Sequence, residues 1–461
     1  MPDYSPITAD ILARILGIPG LRLIDDPQKL EDFSKDGTPN LRYRPEIAVE
    51  ASEVASVQAL LRLANELRFP VTPRGLGTGL AGGALPVLGG VVLSLARMNR
   101  IIAIEPRNMI AVVEPGAVNL DLKNAVREHG LFYPPDPASL DTCSLGGNAA
   151  TNAGGPSCVK YGTTRDYILG LEAVLPNGEM LAAGVRTRKG VVGYDLTRLF
   201  VGSEGTLGVI TKLILRLIPH PAAVTTLVAL FPKLVPAMEA IAKILLNGHI
   251  PSAIEFLDRR CLELVGDLLP FAGVKEAGAM LLIEADGDPE RIQREIETIG
   301  ELCLDGGAAD VLMAPDAGRR NRMWDVRKEV TLRIEERYPL DVHEDIVVPL
   351  GRIAELVACL PEYEAAYGMT IYSFGHAGDG NIHLNITADS LDAALRVEEG
   401  VRQIVKKVLV MGGTMSGEHG VGIAKQRFLP LELSPESIRL QRAIKLLFDP
   451  NCILNPGKVF G

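Results

Sequence analysis

The feature that most restricts the fold of this chain is a glycine-rich segment near residue 80. Residues 73–84 carry glycine at positions 75, 77, 79, 82 and 83. Residues 77–82 match the G-x-G-x-x-G pattern of dinucleotide-binding βαβ units, which requires a helix to open where the pattern ends. Here Pro86 and further glycines at 83, 89 and 90 prevent a helix, and a β-branched strand follows. The sequence therefore argues against the doubly wound nicotinamide-binding fold.

Two further loops of small residues indicate what the first one does. Residues 134–137 with 146–155 form one of them, and residues 193–196 with 202–210 form the other. Consecutive glycines can turn backbone N–H groups inward and form a concave anion site. A flexible hairpin is the alternative for any single loop. Three such loops favour a site where a planar ligand lies against the backbone. Polar side chains that could bind this ligand are those of Asn148, Thr151 and Asn152.

The order of predicted elements indicates an α+β protein. In residues 45–220 short apolar runs alternate with turns and helices, with helices predicted over 52–67 and 120–129 and a strand over 90–95. The sequence Pro-His-Pro at 219–221 breaks the chain. Beyond it, strands are predicted over 224–231 and 279–284, and helices over 236–246, 289–301 and 434–447. The predicted domains are residues 1–220, 221–415 and 416–461.

Charge and cysteine content exclude several classes of function. The 47 basic and 57 acidic residues give a net charge of −10, which argues against nucleic acid or an anionic membrane surface as the main partner. No two cysteines have C-x-x-C spacing, so a zinc ribbon or a ferredoxin-type cluster is not expected. The uncharged residues 75–96 contain too many glycines for a transmembrane helix, and no secretory signal is visible. We expect a cytoplasmic protein with reduced thiols.

A histidine pair suggests a metal site. Residues 375–383 read Gly-His-Ala-Gly-Asp-Gly-Asn-Ile-His, and Asp-Gly is a favoured two-residue hairpin turn. A turn there places His376 opposite His383, with Asn385 on the same side, so that two imidazoles could chelate one cation. Alternatively, the two histidines are unrelated polar strand residues. Glu418 supplies a third ligand and His419 a spare base; this set suits Zn²⁺, Fe²⁺ or Mn²⁺ alike.

A predicted helix over residues 324–331 carries a candidate carboxylate clamp. Arg327 and Thr331 are four residues apart and share a face. A guanidinium can hold a carboxylate through two parallel hydrogen bonds. The alternative is an ordinary solvated basic face, since arginines also occur at positions 319, 320, 322 and 333.

These segments together resemble a known family. The three loops, in this order and spacing, are similar to the FAD-binding domain of the vanillyl-alcohol oxidase and p-cresol methylhydroxylase superfamily. Residues 373–383, the Gly-Glu-His-Gly at 417–420 and the Asn-Pro-Gly-Lys at 455–458 narrow the resemblance. They resemble the group of D-lactate dehydrogenase, the glycolate oxidase FAD subunit and D-2-hydroxyglutarate dehydrogenase, from about residue 40 to the end.

The resemblance implies a two-subdomain FAD-binding domain of p-cresol methylhydroxylase type. An α+β cap with an antiparallel sheet would follow it, and the C-terminal segment would return to the FAD domain. Because no histidine lies in the loop at 74–84, we expect non-covalent FAD. The implied FAD-binding residues are Arg74, Gly75, Gly77, Thr78, Gly79, Pro135, Asp136, Thr142, Gly146, Gly147, Asn148, Thr151, Asn152, Gly154, Glu204, Gly205, Ile210 and Asn455.

The resemblance also implies roles for the histidines. His376, His383 and Glu418 would bind a divalent metal, and His419 would be the catalytic base. Arg327, Thr331, His343 and Asn385 would bind the substrate. The 2-hydroxyglutarate enzymes have a lysine at the position of His343, and a largely neutral imidazole disfavours a dicarboxylate. We therefore expect a D-2-hydroxy-acid dehydrogenase for D-lactate or glycolate, with hydride transfer to flavin N5.

Several alternatives stay open at this point. They are a D-2-hydroxyglutarate dehydrogenase, a non-catalytic flavin electron-transfer subunit, a flavin-free metal hydrolase and an oxygen-using oxidase. The electrons are expected to pass to an iron–sulfur subunit, an electron-transferring flavoprotein or a quinone. Such a partner could hold the protein at the periphery of a membrane.

Overall fold

The computed structural model describes residues 3–269, 271, 273–314 and 316–460. The N-terminal segment in which no secretory signal is expected starts with Met1 and Pro2, and these two residues lie outside the described residues. The chain divides into two compact units. The first unit comprises Met1–Gly154, Thr163–His220 and Glu418–Gly461, and the second comprises Gly155–Gly162 and Pro221–Gly417.

Helices occur in both units. Over the described ranges the α-helices are α1 (Ala9–Leu16), α2 (Pro27–Asp32), α3 (Val54–Leu67), α4 (Asn119–Arg127), α5 (Leu145–Thr151), α6 (Cys158–Tyr161), α7 (Leu196–Phe200), α8 (Leu234–Leu246), α9 (Arg259–Val265), α10 (Pro289–Asp305), α11 (Ala317–Arg337), α12 (Ile353–Tyr367), α13 (Ala394–Val410), α14 (Leu429–Glu432) and α15 (Pro435–Phe448). Among these same residues, no helix is both long and apolar enough to cross a lipid bilayer.

The strands form separate sheets in the two units. They are β1 (Leu21–Leu23), β2 (Ile47–Ala51), β3 (Val71–Arg74), β4 (Val91–Ser94), β5 (Ile101–Glu105), β6 (Ile110–Val113), β7 (Leu131–Phe132), β8 (Ile168–Val174), β9 (Met180–Gly184), β10 (Val209–Arg216), β11 (Ile218–Pro219), β12 (Ala223–Phe231), β13 (Ala253–Asp258), β14 (Ala279–Gly287), β15 (Asp310–Met313), β16 (Leu340–Val347), β17 (Thr370–His376) and β18 (Asn381–Ala388).

The first unit contains two main sheets. One has the order β1-β2-β4-β3, and the other is antiparallel with the order β5-β6-β10-β8-β9. The glycine loop after β3 leads into β4, which pairs with β3 in parallel, and no helix opens at its end. The prediction that residues 75–90 do not begin a nucleotide-binding helix is confirmed.

The core of the first sheet explains why α3 forms where it does. Val57, Leu60, Leu61 and Ala64 recur at helical spacing and are fully buried, and they pack with strand residues such as Val49 and Val91. Burying one aliphatic side chain of this size contributes about 1.5–3 kcal/mol. This packing fixes the strand β3, which ends at Arg74, and so fixes the start of the glycine loop.

The second unit is built on a seven-stranded antiparallel sheet. Its order is β15-β12-β14-β13-β17-β18-β16. The expected antiparallel sheet is thus confirmed, as is the α+β class. Successive side chains point to opposite faces of a strand. One face carries Leu257, Met280 and Phe374 and packs on α9 and α11; the predicted histidines share this face.

Candidate functional sites

Arg74 ends β3 at the entrance to the glycine loop and is nearly buried. Its Nη2 atom donates to the carbonyl of Asp32 at 3.2 Å, and its guanidinium lies 5.4 Å from the centre of the Phe33 ring. The Nη1 atom is buried without a hydrogen-bond partner. An unmatched guanidinium donor beside a glycine loop is suited to an anionic group such as a diphosphate.

The glycines of this loop serve two different purposes. A Cβ atom on Gly75 would lie 2.3 Å from Oγ of Ser144, so this glycine allows the loop to approach the residue that caps α5. Gly77 has φ +78° and its backbone lies against the Arg74 guanidinium. At Gly79, by contrast, an added Cβ would have no atom of the described residues within 4 Å. The loop is therefore packed at its base and open at Gly79.

The second predicted loop contains α5. Asn148 is 4% exposed, and its Nδ2 atom has no partner. Asn152 instead uses its Oδ1 atom to accept from Thr163 Oγ1 at 3.1 Å and from the Arg165 N–H at 2.9 Å. Thr151 donates to the carbonyl of Gly147 at 3.3 Å. Of these polar residues, Asn148 is the one whose unmatched donor is buried.

The third loop meets the C-terminal segment within the first unit. The Glu204 carboxylate accepts from the N–H groups of Val421 at 2.8 Å and Gly422 at 2.7 Å. Asn455 donates from Nδ2 to the carbonyls of Gly83 at 2.9 Å and Glu204 at 2.8 Å, while its Oδ1 atom is buried without a partner. Asn455 therefore ties the glycine loop to the third loop, as its predicted return to this region requires.

The other predicted FAD-binding residues also lie in the first unit, and their contacts with FAD stay a prediction. Thr142 is exposed, and its hydroxyl donates to the carbonyl of Ser139 at 3.3 Å. Ile210 lies in β10 and is buried. The remaining predicted FAD-binding residues lie in the first unit as well, and the structure gives no individual role to any of them: Thr78, Pro135, Asp136, Gly146, Gly147, Gly154 and Gly205.

The structure adds two charged residues to which the sequence analysis gave no role in this region. Lys458 is 4% exposed, and its ammonium donates to the carbonyl of Leu85. Burial lowers the pKa of Lys458 to about 8, against the opposing pull of Asp36 and Glu204. Asp36 has an Oδ2 atom that is buried without a partner. The sequence signal for Lys458 was its place in the Asn-Pro-Gly-Lys motif, whereas Asp36 lies in a polar segment without a pattern.

Several buried polar atoms of the first unit have no hydrogen-bond partner among the described residues, and four of them belong to residues already described here. These four atoms are Arg74 Nη1, Asn148 Nδ2, Asn455 Oδ1 and Asp36 Oδ2. Buried polar groups in folded proteins almost always have partners. A ligand that carries both an anionic group and hydrogen-bonding rings fits such a set, as FAD does.

In the second unit, His376 and His383 lie side by side. Their Nε2 atoms are 3.3 Å apart, and their ring centres are 4.9 Å apart. Two nitrogen ligands about 2.1 Å from a tetrahedral Zn²⁺ ion lie roughly 3.4 Å apart. The spacing of the two imidazoles is therefore that of two ligands of one ion.

The predicted register of this hairpin is wrong by two residues. Phe374, and not His376, pairs with His383, because residues 377–380 all belong to the turn. The carbonyl of His376 accepts from the Asp379 N–H, and Gly375 bends the strand with φ +142°, a conformation that favours glycine. A shift of two residues keeps the same face, so the histidines still meet, diagonally.

Glu255 connects the histidine pair to Arg327. It lies in β13 opposite His376; its Oε1 atom bonds His376 Nδ1, and its Oε2 atom accepts from Arg327 Nε at 2.7 Å. Burial would raise the pKa of Glu255, but His376 and Arg327 outweigh burial and hold the pKa at about 2. A carboxylate at Nδ1 fixes the ring with Nε2 available for a metal.

Sequence reasoning missed Glu255, although a signal existed. It is the one carboxylate inside the apolar strand segment Ala-Ile-Glu-Phe-Leu, and it is 1% exposed. Charged residues are almost never fully buried unless they are paired. A lone carboxylate in an apolar strand is therefore a candidate partner for a buried cation.

Arg327 does not lie on a solvated face. Its side chain is 12% exposed and its guanidinium lies 4.6 Å from the centre of the Phe374 ring. Arg319 and Arg322 of the same helix are exposed. Thr331, one turn further along α11, is half-buried. The structure thus favours the interpretation of Arg327 as part of a site.

Asp345 is a second carboxylate near the histidines that sequence reasoning missed. It pairs with His383 across β16 and β18 and is fully buried. Its oxygens accept from Asn381 Nδ2 at 2.6 Å and from the Gly417 N–H at 2.9 Å. Three polar residues of β16 are two positions apart and therefore lie on one face of the strand: Asp341, His343 and Asp345. Glu418 follows Gly417 in the chain and, with His419, belongs to the first unit.

His343 and Asn385 pair across the same two strands. His343 Nε2 lies 2.8 Å from Asp341 Oδ2 and 3.7 Å from Glu335 Oε1. Asn385 donates from Nδ2 to both oxygens of Asp341, at 3.0 and 3.2 Å. The two predicted substrate residues therefore come together around one buried carboxylate, which the sequence had not indicated.

Comparison with protein families gives two matches. Residues 45–184 match the model of the "FAD binding domain", and residues 220–459 match the model of "FAD linked oxidases, C-terminal domain". The second match alone spans more than half of the chain.

Individual relatives cover nearly the full length. The glycolate oxidase subunit GlcD of Bacillus subtilis is 39% identical, with 98% of this chain and 97% of that protein aligned. A D-lactate dehydrogenase of Anaerostipes hadrus is 37% identical, with 99% and 98% aligned. Among solved structures, p-cresol methylhydroxylase with substrate bound superposes with a TM-score of 0.79 at 18% identity, over 97% of this chain and 95% of that one.

The match to the FAD binding domain includes the first two of the three loops of the first unit, at residues 73–84 and 134–155. The similarity to p-cresol methylhydroxylase supports the fold type, and the two family matches include residues of both units. The chain belongs to the family of FAD-linked oxidases and is an FAD-linked oxidoreductase.

Proposed function

We propose that this protein oxidises a D-2-hydroxy acid, with D-lactate or glycolate favoured, to the 2-oxo acid. It would do so with non-covalent FAD and a divalent metal ion. The observation that carries the proposal is the buried array of Arg327, Glu255, His376 and His383. It combines a carboxylate-binding cation with a metal-type histidine pair on one sheet face. The names of the relatives, glycolate oxidase subunit and D-lactate dehydrogenase, support the substrate class.

In the first unit, Arg74 and the glycine loop would hold the FAD diphosphate, and Asn148 and Asn455 would bind the ring portions. These assignments rest on the unmatched atoms of the three side chains. Bound FAD supplies the hydride acceptor for the oxidation. The first unit contributes binding and orientation, and its small residues let the cofactor lie directly against backbone.

Substitution of Gly79 by alanine is expected to weaken FAD binding without destabilising the apoprotein. The added Cβ meets no protein atom within 4 Å, but it would occupy the space where a phosphate approaches the backbone. We expect at least a tenfold higher Kd for FAD, about 1.4 kcal/mol, measured by flavin fluorescence, with an unchanged apoprotein Tm. Gly351→Ala, an equally open position in the second unit, is the control. Unchanged FAD affinity in Gly79→Ala would place the cofactor elsewhere.

In the second unit, His376 and His383 would hold the metal ion, and Glu418 is proposed as the third ligand. Glu255 would keep the Nε2 atom of His376 available by bonding Nδ1. Imidazole with carboxylate suits Zn²⁺, Fe²⁺ and Mn²⁺. When bound, such an ion polarises the substrate hydroxyl and lowers its pKa.

Arg327 is proposed to bind the substrate carboxylate, with Thr331 beside it. Nε of Arg327 is bonded to Glu255, which fixes the plane of the guanidinium, and its fork of Nη atoms has the geometry that matches a carboxylate. The Phe374 ring against the guanidinium lowers the local dielectric constant and strengthens such a pair. His419 would then remove the hydroxyl proton as general base.

The surroundings of His343 support a monocarboxylate substrate. Its imidazole is flanked by the carboxylates of Asp341 and Glu335, whose ligand atoms all lie within 4.8 Å of one another and of the imidazole nitrogen. Asp341 also holds Asn385, the other predicted substrate residue. A second substrate carboxylate next to His343 would be repelled by the carboxylates of Asp341 and Glu335. The His343 imidazole is already close to both of these carboxylates.

Glu335→Gln is expected to relax the discrimination against dicarboxylates. Removing one half-exposed charge is worth roughly 1 kcal/mol to a nearby anion. We therefore expect kcat/KM for D-2-hydroxyglutarate to rise about five- to tenfold, and that for D-lactate to stay within about twofold. Glu336→Gln, at an exposed neighbouring position on α11, should change neither. A rise that also appears in Glu336→Gln would indicate a general surface-charge effect.

The proposed function is tested by anaerobic mixing of the FAD-loaded protein with D- and L-2-hydroxy acids. Bleaching of the flavin absorbance by D-lactate or glycolate, and not by the L-enantiomer of lactate, is the expected result. A flavin that none of the acids bleaches would favour a non-catalytic electron-transfer subunit, and peroxide formed in step with substrate would favour an oxidase. Electron transfer from the reduced protein to an iron–sulfur protein, an electron-transferring flavoprotein or a quinone would identify the acceptor.

A further inference from the structure

The loop between β9 and α7, residues 184–195, is exposed along its whole length. Val191, Val192 and Tyr194 form its apolar tip and are 96%, 100% and 96% exposed. Single exposed apolar residues are common on protein surfaces, but three almost fully exposed ones on one loop indicate an interaction site. The loop ends with Gly-Tyr-Asp at 193–195, whose tyrosine has no role in the proposed FAD site.

The base of this loop is strongly basic. Arg186, Arg188 and Lys189 precede the apolar tip. A cavity of about 520 Å³ opens beside them, and among its lining residues are four arginines, Arg107, Arg186, Arg188 and Arg216, and no acidic residue. Glu105 pairs with Arg186 and offsets one of these charges. The local charge is therefore positive in a chain whose net charge is −10.

Contacts within the chain hold both ends of this loop. The Thr187 hydroxyl donates to the carbonyl of Lys189 at 2.8 Å, and Gly190 packs against the side chain of Val185. At the other end, Asp195 caps α7 by accepting from the Arg198 N–H at 3.0 Å. Fixed ends reduce the conformational entropy that the loop loses on binding.

We propose that loop 184–195 docks this protein on an anionic phospholipid surface. Val191, Val192 and Tyr194 would enter the interface between headgroups and acyl chains, where aromatic and aliphatic side chains are favoured. The arginines of the adjoining cavity would bind headgroup phosphates bidentately. Apolar insertion and basic attraction are the two signals that stable peripheral binding needs.

Charge complementarity and shape favour a bilayer over other occupants. The negative net charge of the chain argued against binding to an anionic surface. Charges farther from that surface than the Debye length of about 10 Å are screened, however. The basic residues next to the loop therefore determine whether the surface attracts it. A free phosphate compound would use the arginines and leave the apolar tip exposed. A bilayer accommodates a projecting loop without a matching groove, and each basic residue near an anionic surface strengthens binding about fivefold.

The test is vesicle flotation with the full-length, FAD-loaded protein. The vesicles are phosphatidylcholine alone, or phosphatidylcholine with about one third phosphatidylglycerol. The variants are Val191→Asp with Val192→Asp at the tip, and Arg186→Glu with Arg188→Glu at the base. Leu395→Asp, at a position 82% exposed in α13, and Arg294→Glu, exposed in α10, are the matched controls. Turnover with a small dissolved dye as acceptor checks that each variant is folded.

The unmodified protein and both controls should float with the anionic vesicles and not with phosphatidylcholine alone. Each loop variant should lose at least about tenfold of the bound fraction, with dye turnover unchanged, and ionic strength of about 0.5 M should release the unmodified protein. No flotation of the unmodified protein overturns the proposal and would leave an acidic protein as the occupant. Loss in the arginine variant alone, together with competition by inorganic diphosphate, also overturns it in favour of a dissolved anion.

Discussion

His376→Ala and His383→Ala are each expected to abolish turnover while FAD remains bound. Both histidines lie in the second unit, and the predicted FAD-binding loops lie in the first, so only metal binding should be lost. A metal ion supplies several kcal/mol of charge stabilisation, so its loss should lower kcat by about three decades or more. Elemental analysis, flavin absorbance and steady-state kinetics on the same preparations measure the three quantities.

His249→Ala is the matched control for this prediction. His249 also lies in the second unit, and its Nδ1 atom is 3.8 Å from a carboxylate oxygen of Glu295, so the same substitution removes a histidine and a weak ion pair. It should leave metal content and turnover unchanged. Full activity in a metal-free preparation of the unmodified protein would refute the metal assignment, whatever the variants do.

The histidine pair also illustrates what the sequence could predict. The glycines and the Asp-Gly step indicated a hairpin, and a period of two fixed which residues share a face. The turn length was wrong, because Gly375 and the carbonyl of His376 close the turn earlier than a two-residue loop would. The prediction that the two histidines lie side by side was still correct, because a register shift of two residues keeps a side chain on the same face of the sheet.

The partners of these residues could not be predicted in the same way. Glu255 is 121 positions from His376 and 72 from Arg327. Their contact depends on strand order in a seven-stranded sheet and on where α11 packs, and neither leaves a local pattern in the sequence. For the same reason the residues around Arg327 alone favoured a solvated helix face, until the buried carboxylate beside it was known.

The three loops of small residues were predictable for the opposite reason. Each loop is a short run of small residues whose composition already restricts what can bind there. The structure adds which polar side chains have unmatched atoms: Arg74, Asn148 and Asn455 do, whereas Asn152 holds a turn of its own chain. Composition indicated the loops, and hydrogen bonds over long sequence distances distinguish the roles of their residues.

His419→Asn is expected to slow flavin reduction by about 10²–10⁴-fold, the range of a general base. Glu418 and His419 are adjacent in the chain, yet the proposal gives them different tasks. Without His419 the metal and FAD should both stay at normal stoichiometry, because only the proton acceptor is lost. Without the Glu418 carboxylate the metal should be lost first, and activity as a consequence.

Glu418→Ala is therefore the matched control, and the pH profile separates the two roles. An imidazole base must be deprotonated to act, so the rate of flavin reduction should rise with pH in the unmodified protein, and this ascending limb should vanish in His419→Asn. Rapid-mixing absorbance measurements over a range of pH record both the rate and the limb. If His419→Asn reduced its flavin at the unmodified rate with the limb intact, another group would be the base. His343 would then be the next candidate, since the carboxylates of Asp341 and Glu335 beside its Nε2 atom would stabilise the imidazolium that forms.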